Sequence, residues 1–150
     1  MKEQVKLLNM VRIEDSEGRV LVLDKVKKEG WEGLTFPGGK VEAKESLVTS
    51  VRREAKEETG LDLGEVSFSG IIEWIDQKTR LVGLLYSCKD FSGSLVESEE
   101  GPISWMDYEE FKKIEEKSDS MDDILAIYEG KYQEIQYFYQ SGQLVEIVRN

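Results

Sequence analysis

Residues 39–61 read Gly39-Lys40-Val41-Glu42-Ala43-Lys44-Glu45-Ser46-Leu47-Val48-Thr49-Ser50-Val51-Arg52-Arg53-Glu54-Ala55-Lys56-Glu57-Glu58-Thr59-Gly60-Leu61. Ser46 is a natural helix N-cap, and a helix starting there can run to about Thr59, with Gly60 leaving it in a left-handed conformation. On that helix Glu54, Glu57 and Glu58 are spaced three and four apart and share a face. Leu47, Val51 and Ala55 form an adjacent apolar stripe that can dock the helix on a core. Clustered carboxylates repel by roughly 0.3–0.5 kcal/mol per pair, so something of opposite sign must offset them. Oxygen donors without histidine or thiolate suit a hard cation, Mg²⁺ or Mn²⁺. A solvated acidic face, softened by Lys44, Arg52, Arg53 and Lys56, would account for the glutamates. It leaves the glycines and Glu45 unexplained.

The pattern is glycine, five residues, glutamate, seven residues, then Arg-Glu-x-x-Glu-Glu-x-Gly. It resembles the signature of the Nudix hydrolases with every invariant position filled. The resemblance implies an α/β (α+β) fold, an α/β/α sandwich on a mixed sheet, with the signature as a loop, helix and loop. It also implies cation ligation by Glu54, Glu57 and Glu58, completed by the Gly39 carbonyl. Glu45 then pairs with Arg53 as a brace between loop and helix. Residues 34–42, Ser98-Glu99-Glu100-Gly101 and Trp105-Met106 are similar to the MutT-like branch, which hydrolyses nucleoside triphosphates. On that likeness Glu100 is the candidate for an additional ligand or base, with Glu99 and Glu97 as rivals and Glu54 as an alternative base.

Composition narrows the partners. The 150 residues carry 31 acidic and 20 basic side chains, a net charge of −11, which argues against polymeric nucleic acid. A nucleotide is still permitted, because a cation and a few basic side chains handle phosphates locally. The lone Cys88 cannot form an internal disulfide, and no long apolar run is present, so the expectation is a cytoplasmic protein without a membrane partner, monomeric or homodimeric. With no histidine, any general base is a carboxylate, a lysine or a metal-bound water.

Elsewhere, strands are expected over residues 5–13, with Val5, Leu7, Asn9, Val11 and Ile13 on one face, and over 20–26. A charged loop follows over 27–33, then a short strand over 34–36 stopped by Pro37-Gly38-Gly39. A hairpin is expected over 66–90, an acidic loop over 91–101 and a strand over 103–106. Helices are expected from the Asp107 cap to about 117 and over 121–129, before a terminal hairpin over 132–148. One domain spans residues 1–150. Among substrate-binding candidates, Gly38 and Lys40 lie on the phosphate-facing loop, with Arg19 and Lys25 as further cations. Phe36, Trp74 and Trp31 are aromatic rings that could stack on a base. Asp119, Asp122 and Asp123 fall where related purine-selective proteins read the base edge, although a helix start explains them equally.

The resulting expectation is a Mg²⁺-dependent hydrolase, with Mn²⁺ able to substitute, that cleaves a nucleoside triphosphate to monophosphate and pyrophosphate, an oxidised purine such as 8-oxo-dGTP being favoured. The alternatives are cleavage of another nucleoside diphosphate derivative such as ADP-ribose, or a nucleotide-binding regulator without catalysis.

Overall fold

The computed structural model describes residues 2–25 and 33–150. The expectations for Val26, for most of the loop after it and for Trp31 lie outside the described residues. In chain order the elements are β1 (Gln4–Ile13), β2 (Arg19–Lys25), β3 (Gly33–Thr35), β4 (Gly38–Lys40), α1 (Leu47–Thr59), β5 (Asp62–Leu63), β6 (Ser67–Ile75), β7 (Thr79–Cys88), β8 (Phe91–Ser92), β9 (Ile103–Asp107), α2 (Tyr108–Lys113), α3 (Met121–Tyr128), β10 (Glu134–Gln140) and β11 (Gln143–Arg149).

The larger sheet runs β11-β10-β6-β7-β1-β4, and a second runs β3-β2-β9. Pairing is parallel between β1 and β7 and between β6 and β10, and antiparallel elsewhere in the larger sheet, which makes it mixed. Strand alternation shows how it is covered. Leu85 of β7 joins Phe111, Ile124 and Ile127 on one side, whereas its neighbours Leu84 and Tyr86 join Val51 and Ala55 on the other. Both faces are therefore apolar and buried, with α1 on one and α2 and α3 on the other. This is the α/β/α sandwich expected from the sequence.

Three expectations need correcting. Val5 and Leu7 are 53% and 37% exposed, because β1 extends past the cover that α1 provides; only Asn9, Val11 and Ile13 of that face are buried. Leu47 is 38% exposed, so the docking stripe of α1 is Val51 and Ala55. Helix α2 stops at Lys113 rather than near 117. There the Lys117 ammonium donates to the carbonyls of Lys112 and Ile114, and the backbone turns to pair with β3 through Leu34 N–H to Glu116 O and Ser118 N–H to Leu34 O. The terminal hairpin forms, turning through Ser141 and Gly142 at φ 51° and 78°. No described helix is long and apolar enough to cross a membrane.

Candidate cation and phosphate site

Helix α1 begins where the sequence placed it. The Ser46 hydroxyl accepts the Thr49 N–H at 3.0 Å. At the other end, Gly60 sits at φ 82° with its N–H on the Lys56 carbonyl. Burial of Val51 and Ala55 turns Glu54 and Glu58 toward the glycine strand β4. The Gly38 N–H donates to Glu58 Oε1 at 2.9 Å, and the Gly39 N–H donates to Asn9 Oδ1 at 3.2 Å. Glycine at 39 is what lets the Glu54 carboxylate lie where it does: a Cβ there would stand 2.3–2.5 Å from it and push it away.

Arg53 ties this arrangement together. Its Nε and Nη2 grip Glu45 at 2.6 and 3.0 Å, Nη2 also reaches the Lys40 carbonyl at 2.9 Å, and Nη1 meets Glu54 Oε1 at 3.0 Å. Such a forked, partly buried pair is far more directional than a lone surface contact. The Arg53 hydrogen bond holds the Glu45 carboxyl below its ordinary range. Glu45→Gln is expected to lower the melting temperature in a thermal scan and to reduce any turnover, because loop and helix lose their brace.

The two inward glutamates behave differently. Burial raises the Glu54 carboxyl above its ordinary value, partly opposed by Arg53. Glu58 is only 3% exposed, and burial pushes it up to about 7. The Lys25 charge and the Gly38 hydrogen bond oppose that rise; Glu54 and Glu100 reinforce it. Lys25 and Glu100 therefore face the same spot, although they are distant in sequence. Glu100 is on a turn held by its own N–H to Ser98 Oγ at 3.2 Å, and its rivals Glu97 and Glu99 are exposed.

Glu57 is exposed and rests against Arg53 at 3.3 Å. Among the described residues no three carboxylates converge tightly enough to hold an ion ready-made. The donor set nevertheless fits one. Glu58 Oε2 is buried without a hydrogen-bond partner, an arrangement that disfavours the charged group unless a cation or proton meets it. Glu54 lies close enough to raise its proton affinity further, and Glu57 is one residue away on the same helix. All the donors are oxygens, which suits Mg²⁺ or Mn²⁺.

Several substrate-binding expectations change. Phe36 is 1% exposed and packs on Phe111 and Tyr128 at 5.3 and 5.6 Å between ring centroids, so it is core and offers no face to a base. Asp123 accepts the Tyr137 hydroxyl, and it also accepts two hydrogen bonds from the Arg149 guanidinium, at 2.9 and 3.2 Å; together these fasten α3 to the terminal hairpin and leave no carboxylate free to read a base. Asp123→Asn is accordingly expected to cost about 1–2 kcal/mol in urea unfolding and to affect every substrate alike. The Asp122 side chain is 85% exposed and meets Lys117 at 3.2 Å. Arg19 is occupied by Asp15 and Glu17 at 2.8 and 3.1 Å. Lys40 is exposed on β4.

Trp74 lines a cleft of about 520 Å³ with Lys6, Asp119, Ser120 and Tyr139, and its Nε1–H donates to Ser120 Oγ at 3.2 Å. Sequence reading passed over Asn9 and Ser50 at the glycine strand. The available signal was an asparagine among valine and isoleucine on an otherwise apolar strand face.

A model of the NUDIX domain matches residues 8–126. The chain is 30% identical over 105 residues to the uncharacterized Nudix hydrolase YvcI of Bacillus subtilis, covering 66% of this chain and 65% of that protein. It is 35% identical over 69 residues to a protein of Buchnera aphidicola named 8-oxo-dGTP diphosphatase, covering 46% and 53% of the two chains. The chain thus spans less than two thirds of the length of these relatives. The crystal structure of a mutator MutT protein from Bacillus halodurans superposes with a TM-score of 0.78 over 97% of each chain at 22% identity, a likeness of fold. A family match across most of the chain, with the glycine strand and glutamate helix assembled as described, shows that this chain belongs to the Nudix family.

Proposed function

We propose that the chain is a divalent-cation-dependent pyrophosphohydrolase that cleaves a nucleoside triphosphate to the monophosphate and pyrophosphate. The observation that carries the proposal is the buried, unpartnered Glu58 oxygen beside Glu54 and two backbone-exposing glycines. A carboxylate kept there without a positive partner is disfavoured, and a phosphate-chelated cation supplies one. Glu54, Glu57, Glu58, the Gly39 carbonyl and Glu100 would hold it. When bound, such a cation would withdraw charge from the phosphate oxygens and help orient the attacking water.

The chain's own groups do the rest. Lys25 and Lys40 approach the triphosphate and offset its charge. A carboxylate, Glu54 or Glu100, takes the proton from water as its oxygen attacks phosphorus and the anhydride bond to pyrophosphate breaks. The raised affinity of Glu54 for a proton favours it in that role. Arg53 and Glu45 keep loop and helix in register while this happens.

For the base, the cleft lined by Trp74, Tyr139 and Asp119 is the favoured site. It reaches the phosphate loop along β1: Lys6 lines the cleft, and Leu8 pairs with Lys40. At ~3.4 Å per residue these two points are about 7 Å apart, well within one nucleotide. Of the three acids expected to read the base edge, Asp119 is the one that lines this cleft, and it takes that role. The N7–H of 8-oxoguanine, absent from guanine, is a donor for that carboxylate, and the name of the Buchnera relative points the same way. Asp119 is exposed in the unliganded chain; once a stacked base covers its carboxylate, an acceptor left unpaired there is worth roughly 1–3 kcal/mol, so 8-oxo-dGTP is expected to exceed dGTP in kcat/KM by roughly 10–100-fold. Asp119→Asn should shrink that ratio.

A substrate panel with pyrophosphate-release readout tests the reading. Turnover is expected with Mg²⁺ or Mn²⁺ and none in excess EDTA. Equal efficiency on the two nucleotides, or a preference for ADP-ribose, removes the substrate claim. Full activity in EDTA removes the cation.

A further inference from the structure

We infer that Asn9 is a positioning residue of the cation loop: its side-chain amide, oriented by Ser50, sets the Gly39 peptide against Glu54. The inference rests on the cation-dependent reading above. β1 presents Asn9, Val11 and Ile13 to the α1 side at alternate positions, and the latter two are fully buried in apolar surroundings. Asn9 is 5% exposed at a place where a leucine would add burial energy. An amide there is unfavourable unless both of its ends are hydrogen-bonded.

Both are. Asn9 Nδ2 donates to Ser50 Oγ at 2.8 Å, and Oδ1 accepts the Gly39 N–H at 3.2 Å. Ser50 is fully buried, and its hydroxyl donates to the Leu47 carbonyl at 2.8 Å. That hydroxyl has one proton and has used it on the helix, so it can only accept from Asn9. The direction of the chain is thereby fixed: Leu47 carbonyl, Ser50 hydroxyl, Asn9 amine, then Asn9 carbonyl to Gly39. The wrong amide orientation would set acceptor against acceptor at Ser50 and donor against donor at Gly39.

Gly39 stands directly opposite Asn9 in the β1–β4 register. Its Cα packs against the Glu54 carboxylate so closely that a Cβ would overlap it. Asn9 thus satisfies the Gly39 N–H with a neutral acceptor and adds no further negative charge beside Glu54 and Glu58. Without it, that N–H competes for the Glu54 carboxylate lying against the same glycine, and both the peptide plane and the carboxylate lose their set direction. Groups that orient a cation's ligands from behind typically change its affinity by roughly 10–100-fold.

Mn²⁺ titration followed by electron paramagnetic resonance tests this on the full chain, with Asn9→Leu, Ser50→Ala and, as a core control on the same strand, Val11→Ala. Asn9→Leu is expected to bind Mn²⁺ roughly 10–100-fold more weakly. Ser50→Ala should shift in the same direction by less, and Val11→Ala should lose thermal stability with unchanged affinity. In kinetics, the half-saturating cation concentration for Asn9→Leu should rise by the same factor while kcat recovers at saturating cation, which general damage to the fold would not produce. A folded Asn9→Leu that binds within twofold of the wild type overturns the inference, as does Val11→Ala weakening binding as much. Should Asn9→Leu fail to fold, Ser50→Ala decides, and affinity within twofold of the wild type overturns it. A wild-type chain that binds no Mn²⁺ defeats the reading of the site itself, and the inference with it.

Discussion

Glu58→Gln is expected to give a protein that is more stable than the wild type without cation and nearly inactive with it. The two effects share one cause. Glu58 is 3% exposed, and burial pushes its carboxyl up to about 7 from an ordinary 4.5. Its folded-state value lies above the unfolded one, so the folded protein binds the extra proton between these limits. The stability contributed is fully present below about 4.5 and is lost as pH rises through about 7. At pH 8 the ionised group costs up to about 3 kcal/mol. Glutamine keeps the oxygen that accepts from Gly38 and removes the charge. Urea unfolding in EDTA should therefore show Glu58→Gln ahead of the wild type at pH 8, with the gap closing toward pH 5. Adding Mg²⁺ should reverse the order, since binding to the folded state alone stabilises only a chain that retains the ligand. Turnover should fall by roughly 10²–10³-fold, the usual cost of removing one preorganised electrostatic group. A variant that turns over like the wild type would leave the glutamate helix without a chemical role.

Gly39→Ala is expected to lose activity by a comparable factor, roughly 10²-fold, at no cost in stability. The added Cβ would sit 2.3–2.5 Å from the Glu54 carboxylate, the mobile end of a side chain, which must move away. Gly39 is not among the residues with positive φ, so alanine strains no backbone there, and it lowers the entropy of the unfolded chain by the equivalent of about 0.4–1 kcal/mol. Gly38→Ala provides the contrast. Its Cβ would meet the Asn9 backbone oxygen at 2.1 Å, so the β1–β4 pairing must open and the melting temperature must fall. Thermal melts and steady-state kinetics on the pair separate the effects: Gly39→Ala stable and slow, Gly38→Ala unstable. Wild-type kinetics in Gly39→Ala would show that the position of Glu54 does not matter.

Much of this was legible because local chemistry dictated it. Ser46, Val51, Ala55 and Gly60 specify the start, the buried face and the end of α1 through capping, periodicity and a left-handed exit, all of which depend on near neighbours. The Glu45–Arg53 brace followed from the family resemblance and formed as a forked pair. Long-range features were not legible in the same way. Lys25 and Glu100 come near enough for their charges to act on Glu58 only because β2 and the loop before β9 approach α1, which spacing along the chain does not reveal. Phe36 reads equally as a stacking ring or as core until Phe111 and Tyr128 are seen against it. Asp123 looked like an acid at a helix start, and only the folded hairpin brings Arg149 and Tyr137 to it. Asn9 was the informative anomaly, a polar residue on a buried strand face, and polar residues in such places are kept for what they bond.

The most direct test of the central claim is product identity: the chain is incubated with 8-oxo-dGTP and Mg²⁺, and the phosphorus species are followed by ³¹P NMR beside Glu58→Gln and an EDTA control. The expected result is stoichiometric nucleoside monophosphate and pyrophosphate from the wild type, with little from either control; an intact triphosphate, or diphosphate with orthophosphate, would contradict it.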